Sequence, residues 1–338
     1  MVDGLGRTLP ANLYFESDDY KVERRAVFGN EWLWFACESE IARSGEYVAR
    51  EYAGWQLMVV RSPDGELRGF HNVCRHRAGP LVDDGAGTCA TLVCKYHAWS
   101  YNFEGQLQSA RDFGASLDPD EYALVGIRVE VWRGQVFINL DESAPSLADD
   151  LCDFFEEAVG FPIESMHLVR VAHHDLACNW KTYADNYLEG YHIPMMHPVL
   201  HRMYDSKQYQ VQLGDRYCRH YAPARRGDLV DGRWLFRWPN LAFNIYGDSM
   251  NLEVIIPTGA RTCRVLYVHL FRDPDASDVG DVIGLSDQVM DEDRAMVERV
   301  QRNLESGVYR DGLLSPKHEL ALQQFQDLVR NAHAHASP

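Results

Sequence analysis

Residues 74–99, CRHRAGPLVDDGAGTCATLVCKYHAW, contain two short loops that each combine one cysteine with one histidine. Cys74 and His76 are separated by one residue, and Cys94 and His97 by two. A structural zinc site could use the same four residues, but zinc ligands usually come in like pairs, cysteine with cysteine and histidine with histidine. Mixed loops suit a cluster of two metal atoms, in which one metal takes both thiolates and the other takes both imidazoles.

That ligand set is typical of a Rieske [2Fe–2S] cluster, and charge counting explains why the histidines matter. Two ferric ions, two sulfides and two thiolates sum to zero, whereas four thiolates would leave two negative charges. The neutral form accepts an electron more easily, so its reduction potential lies above that of plant-type ferredoxins. We therefore predict that Cys74, His76, Cys94 and His97 bind a Rieske cluster.

A second group of candidate ligands lies in residues 179–197, NWKTYADNYLEGYHIPMMH. His192 and His197 are five residues apart, about 140° around a helix, so a straight helix would not bring them together. Pro194, and the restriction that it places on Ile193, predict that the helix ends between the two histidines. The chain can then turn and place both beside a carboxylate from elsewhere, which gives the facial triad that holds Fe(II).

Both motifs, in this order, resemble those of the catalytic alpha subunits of Rieske non-haem iron oxygenases, the aromatic-ring-hydroxylating oxygenase family. The resemblance extends over most of the chain. It matches the family's pair of iron histidines to His192 and His197. It implies that Glu189 links the iron site to the Rieske cluster of a neighbouring subunit, and that Asn186 is the asparagine commonly found beside the iron ligands.

The resemblance also implies a third iron ligand near the C-terminus, in a pattern like Glu-Asp-x₄-Glu-x₂-Gln. Residues 292–301 fit this pattern, so Asp293 is the predicted ligand and Asp291 the runner-up. Acids in the first turn of a helix are also favoured by the helix dipole and by capping, which is the structural alternative. If Glu189 is only a solvated residue, Asp185 is the next candidate for the link.

The predicted fold class is α+β, with an N-terminal all-β Rieske [2Fe–2S] domain followed by a catalytic domain with a central antiparallel sheet flanked by helices. A polar stretch, residues 141–146, marks the predicted domain boundary. The predicted divisions are an N-terminal helical segment packing on the catalytic domain at 1–38, the Rieske domain at 39–145, the catalytic domain at 146–330 and a disordered tail at 331–338.

Local patterns predict several elements of the second half. A helix is expected around Tyr183–Gly190, and apolar residues at helical spacing predict another over Leu285–Leu304. Thr262–Phe271 alternates as a strand does. The resemblance implies that the catalytic sheet lines the substrate pocket with its inner face, so Phe243, Ile245 and Tyr267 are candidate lining residues, although such residues are more often core.

Composition limits the partners. The 338 residues carry a formal net charge of -17, which argues against binding to nucleic acid backbones. No apolar run reaches the roughly 18 residues of a membrane span. Eight cysteines are spread through the chain without a secretion signal, which indicates a reducing, cytoplasmic location.

The resemblance implies a terminal oxygenase that hydroxylates a small organic substrate with O₂, first of all by aromatic-ring hydroxylation or dihydroxylation. The alternative is a mono-oxygenase or N- or O-demethylase for a choline-, betaine- or carnitine-like amine, which the net charge and a glutamate at position 189 favour slightly. No nucleotide-binding G-x-G-x-x-G follows a strand, so electrons must come from a separate NAD(P)H-dependent reductase or ferredoxin. A homotrimer is expected. A Rieske electron-transfer protein and a zinc-binding structural protein are alternatives from other classes.

Overall fold

The computed structural model describes residues 5–227 and 230–336, which form two compact units. The β unit is Gly29–Asp150. The mixed unit comprises the described residues up to Phe28 together with those from Leu151 onward. The first is mostly β-structure and the second combines an antiparallel sheet with helices, which confirms the predicted fold class.

Within its described residues, the β unit contains a seven-stranded and a three-stranded sheet. The larger sheet has the order β1-β10-β9-β4-β3-β2-β5, and the smaller has the order β6-β7-β8. The strands are β1 Leu33–Cys37, β2 Glu46–Tyr52, β3 Trp55–Arg61, β4 Leu67–His71, β5 Gly85–Thr88, β6 Leu92–Val93, β7 Ser100–Tyr101, β8 Leu107–Ser109, β9 Gly126–Trp132 and β10 Gln135–Asn139. The two Cys-His loops connect β4 with β5 and β6 with β7.

The start of the β unit differs from the sequence-based prediction. Residues 1–38 were expected to form a helical segment, yet Leu33–Cys37 is a strand in which every residue is buried. This run, LWFAC, pairs antiparallel with β10 at the edge of the sheet, because a fully apolar and partly aromatic segment is more stable buried in a sheet than on a helix surface. The helical part of the N-terminus ends at Phe28.

Two-residue turns fix the register of two hairpins in the β unit. Arg133-Gly134 joins β9 to β10 and Ala53-Gly54 joins β2 to β3, and all four residues have positive φ, between 48° and 80°. Turns of this hand match the right-handed twist of the strands they connect, and glycine adopts them without strain. Arg133-Gly134 is therefore a tight hairpin turn between β9 and β10.

The mixed unit is built on a seven-stranded antiparallel sheet, counted over the described residues, with the order β11-β17-β16-β15-β14-β13-β12. Its strands are β11 His167–Leu176, β12 Gln210–Leu213, β13 Tyr217–Ala222, β14 Gly232–Arg237, β15 Leu241–Tyr246, β16 Ser249–Gly259 and β17 Thr262–Phe271. The helices of the chain are α1 Ser17–Glu23, α2 Leu147–Asp150 (in the β unit), α3 Cys152–Glu157, α4 Trp180–Tyr187, α5 Ile193–Met196, α6 Pro198–Met203, α7 Val279–Glu305 and α8 Leu320–Ala336. A π-helical turn, Arg24–Phe28, continues α1.

The two faces of this sheet differ in polarity. In the strands β15, β16 and β17 one face is apolar, and there Phe243 packs against Phe154 with ring centroids 5.1 Å apart. The other face carries Glu253 and Tyr267, which lie directly opposite each other on β16 and β17. Helix α4 packs on this face, and Asp287 of α7 accepts a hydrogen bond from Arg170 of β11. Because side chains alternate between faces along a strand, Phe243 belongs to the core and Tyr267 to the polar face.

Three helices depart from their predicted bounds. Helix α4 starts at Trp180 and ends at Tyr187, three residues before the predicted end, while α7 is longer than predicted. The expected disordered tail is wrong for residues 331–336, which continue α8; positions 337 and 338 lie outside the described residues. The physical reason is packing upstream, where Phe325 contacts the Trp180 ring at 5.5 Å and fixes the helix that the tail extends.

None of the described helices has the length and apolar character needed to cross a bilayer. The eight cysteines, all at described positions, form no disulfide. The nearest pair outside the two Cys-His loops is Cys178 and Cys263, whose sulfur atoms are 3.9 Å apart in the core of the mixed unit.

Candidate metal centres

The two Cys-His loops have the same backbone geometry. In each, the amide four residues after the cysteine donates to the cysteine carbonyl, from Ala78 to Cys74 at 3.0 Å and from Ala98 to Cys94 at 2.9 Å. Both alanines have positive φ, 55° and 59°. A left-handed conformation is uncommon for alanine, so each loop is held in a sharp turn that carries its cysteine and histidine to the same side.

Close packing brings the loops together. A Cβ at Gly79 would lie 2.8 Å from the Cys94 sulfur, so only glycine lets the first loop approach the second this closely. The His76 and His97 rings are 4.7 Å apart. His76 also stacks on Trp99, with centroids 4.8 Å apart and planes 8° from parallel. The structure thus brings all four predicted cluster residues together.

The donor atoms of this site fit a cationic cluster. Burial raises the pKa of the Cys94 thiol, and the neighbouring Cys74 raises it further, so two thiolates here require positive charge beside them. The Tyr101 hydroxyl lies 3.3 Å from the Cys74 sulfur. Among the described residues, none hydrogen-bonds the buried Nδ1 of His76, although buried polar atoms nearly always have a partner. An imidazole nitrogen and two thiolates are the donors that a Rieske cluster takes.

The second centre begins just after α4. Beyond Tyr187 the chain turns through Glu189, whose carboxylate accepts the backbone N–H groups of Tyr191 and His192. The same carboxylate contacts His192 Nδ1 at 2.5 Å. Pro194 lies in the first turn of α5 and therefore starts a helix rather than ending one, which corrects the predicted position of the helix break.

Three predicted ligands converge in the mixed unit. One ligand atom each of His192, His197 and Asp293 lies within 4.8 Å of the others. His197 Nε2 is 3.1 Å and His192 Nε2 is 3.9 Å from Asp293 Oδ1. Asn186 donates to the same oxygen at 2.8 Å, so the predicted neighbour of the iron ligands contacts Asp293. Two imidazoles and one carboxylate are the donor set of a facial triad for non-haem iron.

Each of the two histidines has its own carboxylate. Glu189 contacts His192, and Glu292 contacts His197 Nδ1 at 2.7 Å. A carboxylate on Nδ1 fixes the tautomer that leaves Nε2 to bind metal. The role of Glu292 was missed by sequence reasoning, although its place immediately before Asp293 was the available signal.

The two fallback residues lie elsewhere. Asp291 is outside the converging set; its side chain is 72% exposed and is 3.5 Å from Arg294. Asp185 accepts hydrogen bonds from Tyr14 at 2.6 Å and from Gln326 at 3.1 Å. Burial raises the pKa of Asp185 to about 6. Asp185 is thus engaged with the N-terminal segment and α8.

A buried acid that sequence reasoning did not single out lies near these ligands. Glu253 accepts hydrogen bonds from Tyr183 at 2.7 Å and from Asn244 at 2.7 Å. Burial, with a smaller contribution from the charge of Asp293, raises the pKa of Glu253 to about 7. No signal in the strand pattern marks this residue, because period-two alternation does not tell which face of a sheet is polar.

Comparison with known proteins assigns the chain to a class. Residues 31–135 match the Rieske [2Fe–2S] domain, and residues 163–334 match the ring hydroxylating alpha subunit (catalytic domain). The chain belongs to the Rieske non-haem iron oxygenases, as a catalytic alpha subunit. Its cofactors are a Rieske cluster and a mononuclear iron, which rules out the zinc-binding and pure electron-transfer alternatives.

Several relatives resemble the chain over nearly its whole length. The carnitine monooxygenase oxygenase subunit of Acinetobacter pittii (strain PHEA-2) is 30% identical over 96% of this chain and 95% of its own. The chloroplastic choline monooxygenase of Atriplex hortensis is 28% identical over 94% of this chain and 76% of its own. A quaternary ammonium Rieske monooxygenase solved with L-carnitine superposes with a TM-score of 0.87 at 30% identity, covering 97% of this chain and 96% of that one. The chain is therefore a terminal oxygenase that uses O₂, a small organic substrate and electrons from a separate reductase.

Proposed function

We propose that this oxygenase is a mono-oxygenase for a small quaternary or tertiary amine, the alternative that the sequence favoured slightly. The observation that carries the proposal is the similarity to carnitine and choline monooxygenases at 28–30% identity across both units. Aromatic-ring hydroxylation, the first expectation from the sequence, has less support. The naphthalene 1,2-dioxygenases share the fold at 20–22% identity, a similarity that supports the fold but not the choice of substrate.

A cluster of aromatic rings on the polar sheet face supports a cationic substrate. Trp234 lies directly opposite Asn244 in the sheet, on the same face as Glu253. Three tyrosine rings surround it, with centroids at 5.2 Å for Tyr204, 6.2 Å for Tyr209 and 6.3 Å for Tyr246. Faces of tryptophan and tyrosine attract ammonium groups, and such rings recognise quaternary ammonium compounds in other proteins.

A substrate screen tests the amine class. Purified protein with an added reductase is supplied with choline-, betaine- and carnitine-like compounds and, separately, with aromatic hydrocarbons, while O₂ uptake and product mass are followed. We expect product-coupled O₂ uptake with at least one amine and none with the hydrocarbons. Coupled turnover of an aromatic hydrocarbon in place of any amine contradicts the proposal.

The role of the ring cluster has its own test. Trp234→Leu is expected to raise KM for the amine substrate by about tenfold, the worth of a desolvated cation–π contact. The control ligand is the neutral analogue in which carbon replaces the ammonium nitrogen, whose binding should change much less. If the substitution weakens the binding of both ligands equally, Trp234 contributes only to the shape of the site and not to recognition of the charge.

We further propose how the residues divide the work. Cys74, His76, Cys94 and His97 hold the cluster, and His192, His197 and Asp293 hold the iron, which supplies the site for O₂ activation when bound. Glu189 and Glu292 keep the two iron histidines in the tautomer with Nε2 directed at the metal. Asn186 fixes the Asp293 carboxylate.

The proposal includes electron transfer between copies of the chain in a cytoplasmic homotrimer. Glu189 would join the cluster of one chain to the iron of the next, since its carboxylate contacts His192 and its neighbour Tyr191 is 61% exposed. Glu189→Gln should retain cluster and iron yet slow the oxidation of the reduced cluster by O₂ and substrate. Normal single-turnover oxidation in that variant would remove Glu189 from the path.

Mixing two inactive variants tests the transfer between chains. Cys94→Ala lacks the cluster and Asp293→Ala lacks the iron, so neither homo-oligomer should turn over. If electrons cross between chains, co-expressed mixed oligomers regain a fraction of the activity. Mixed oligomers that assemble, as shown by two affinity tags, but stay inactive would contradict the proposal.

A further inference from the structure

A row of polar side chains crosses the polar face of the sheet in the mixed unit. Arg170 on the edge strand β11 lies opposite His269 on β17, which lies opposite Asn251 on β16, which lies opposite Asn244 on β15. Side chains directly opposite on one face have Cβ atoms about 5 Å apart, so neighbours in the row are within reach of one another or of one bridging water. Four polar residues in register on a buried face are unusual, because each must find a hydrogen-bond partner.

We call the four residues from Arg170 to Asn244 the polar row. Its outer end, Arg170, lies at the protein surface. Arg170 donates to Asp287 of α7 at 2.6 Å, and the two side chains are 37% and 35% exposed. The next residue, His269, is buried, and burial lowers its pKa to about 4. His269 is therefore neutral near pH 7, and a neutral imidazole accepts a hydrogen bond at one nitrogen while donating at the other.

Along the polar row, several buried atoms have no protein partner among the described residues. They are Nε2 of His269, Oδ1 of Asn251 and Oδ1 of Asp287, with Nε2 of His174 alongside. Buried polar groups in folded proteins nearly always bond to protein or to ordered water. Four such atoms between one sheet face and α7 are therefore polar groups whose hydrogen bonds ordered water can complete.

The inner end of the polar row, Asn244, contacts Glu253. Asn244 donates to one oxygen of Glu253 at 2.7 Å, and Tyr183 of α4 donates to the other at 2.7 Å. The Tyr183 hydroxyl is also 3.1 Å from that of Tyr267. The groups whose charge or hydrogen bonds act on Glu253 are these two tyrosines, Asn244 and Asp293. A pKa of about 7 lets Glu253 both hold and release a proton at neutral pH.

The reaction of this class of enzyme needs such a route. Mono-oxygenation with one O₂ and two electrons inserts one oxygen atom into a C–H bond and reduces the other to water, which consumes two protons. The reductase supplies the electrons, but the protons must reach a site formed by buried residues such as His197 and Asp293. Tyr183 and Asn186 lie on the same helix, and Asn186 contacts Asp293.

We propose that water held along the polar row, together with His269, Glu253 and Tyr183, forms a proton-relay path from the surface at Asp287 to the iron site, in which the two asparagines orient the water and carry no proton. The path serves any substrate of the oxygenase, so it rests on mono-oxygenation and not on the choice of amine. Glu253 is the residue that holds the proton closest to the ligands.

The first test reads the protonation of Glu253 without turnover. Infrared difference spectra across a pH titration of the iron-loaded protein should contain a carboxylic acid C=O band that disappears near neutral pH. Burial also raises the pKa of Asp185, to about 6, so Asp185→Asn is the control: Glu253→Gln should remove the band that disappears nearer pH 7, and Asp185→Asn should leave that band in place. The same band persisting in Glu253→Gln, or no band titrating near neutrality, overturns the assignment of Glu253.

The second test uses single turnover of reduced, substrate-loaded protein. Glu253→Gln should form product at least about tenfold more slowly, with unchanged iron and cluster content and an increased solvent deuterium isotope effect. Glu253→Asp, which keeps an acid, should recover part of the rate, and His269→Phe, which interrupts the polar row, should also enlarge the isotope effect. Wild-type rate and isotope effect in Glu253→Gln contradict the relay. Loss of rate without any change in isotope effect, in both Glu253→Gln and His269→Phe, means a structural role and also contradicts it.

Discussion

The two candidate metal centres are built in opposite ways. In the β unit, two loops with the same backbone hydrogen bonds present their ligands within a span of 24 residues, from Cys74 to His97. In the mixed unit, the histidines follow α4 whereas Asp293 comes from α7, 96 residues after His197. Local backbone geometry therefore defines the first centre, and tertiary packing defines the second.

The histidines of the two centres also differ in which nitrogen is left for metal. His192 and His197 each have a carboxylate at Nδ1, which directs Nε2 toward Asp293. His76 has a buried Nδ1 with no partner among the described residues, and its ring is held by stacking on Trp99. Carboxylates suit a single divalent ion that needs added negative charge, whereas a cluster with two sulfides and two thiolates needs none.

The largest expected effect is loss of the whole first centre. Cys94→Ala removes a buried thiolate that no other side chain replaces, so cluster iron and sulfide should fall to near zero and the red-brown colour should disappear. Iron, sulfide and visible absorption of the purified variant measure this. Because the two units have separate cores, the iron of the mixed unit should remain bound. Loss of both the cluster and this iron would show that the second centre depends on the first, which contradicts the account.

The next effect empties only the second centre. Asp293→Ala removes the single carboxylate of the converging set, so iron should fall from three to two per chain while the colour stays. Asp291→Ala is the matched control two residues away, exposed and paired with Arg294, and should keep all three irons. Loss of one iron in Asp291→Ala, with three irons retained in Asp293→Ala, would identify Asp291 as the ligand.

A smaller effect is expected from the carboxylate that holds His197. Glu292→Gln keeps the size of the side chain but weakens the hydrogen bond to Nδ1, so iron affinity should drop by roughly 10- to 100-fold. Competition with a chelator of known affinity measures the change. Unaltered iron affinity would show that His197 needs no carboxylate at Nδ1. The proposed difference between the iron histidines and the cluster ligand His76 would then be wrong.

The smallest effect concerns the potential of the cluster. Tyr101 can donate to the Cys74 sulfur, and this bond is stronger when the cluster carries the extra electron. Tyr101→Phe should therefore lower the reduction potential, by about 40 mV for each 1 kcal/mol of differential hydrogen bonding in a one-electron couple. Voltammetry of the purified protein measures the shift, and an unchanged potential would exclude the bond from tuning the cluster.

The same comparison explains what could be predicted from sequence. Cys74, His76, Cys94 and His97 were identified because a loop motif carries its own geometry, and the structure brings them together. The histidine pair and Asp293 also converge, but the predicted helix break did not occur at Pro194, because α4 had already ended at Tyr187.

What could not be predicted depends on contacts between distant segments. Glu253 is one of several polar residues on β16, and burial beneath α4, which outweighs the hydrogen bonds that it accepts, raises its pKa to about 7. The tail at 331–336 looked polar and unstructured, yet it extends a helix fixed by Phe325. Neither effect is local, so neither leaves a pattern in the sequence.

The most direct test of the account is the metal and sulfide content of the unaltered protein, matured with iron and sulfide available. Two centres of different construction predict three irons and two acid-labile sulfides per chain, with a Rieske-type spectrum of the reduced cluster. Two irons with two sulfides would mean that His192, His197 and Asp293 hold no iron. Zinc without sulfide would contradict both centres.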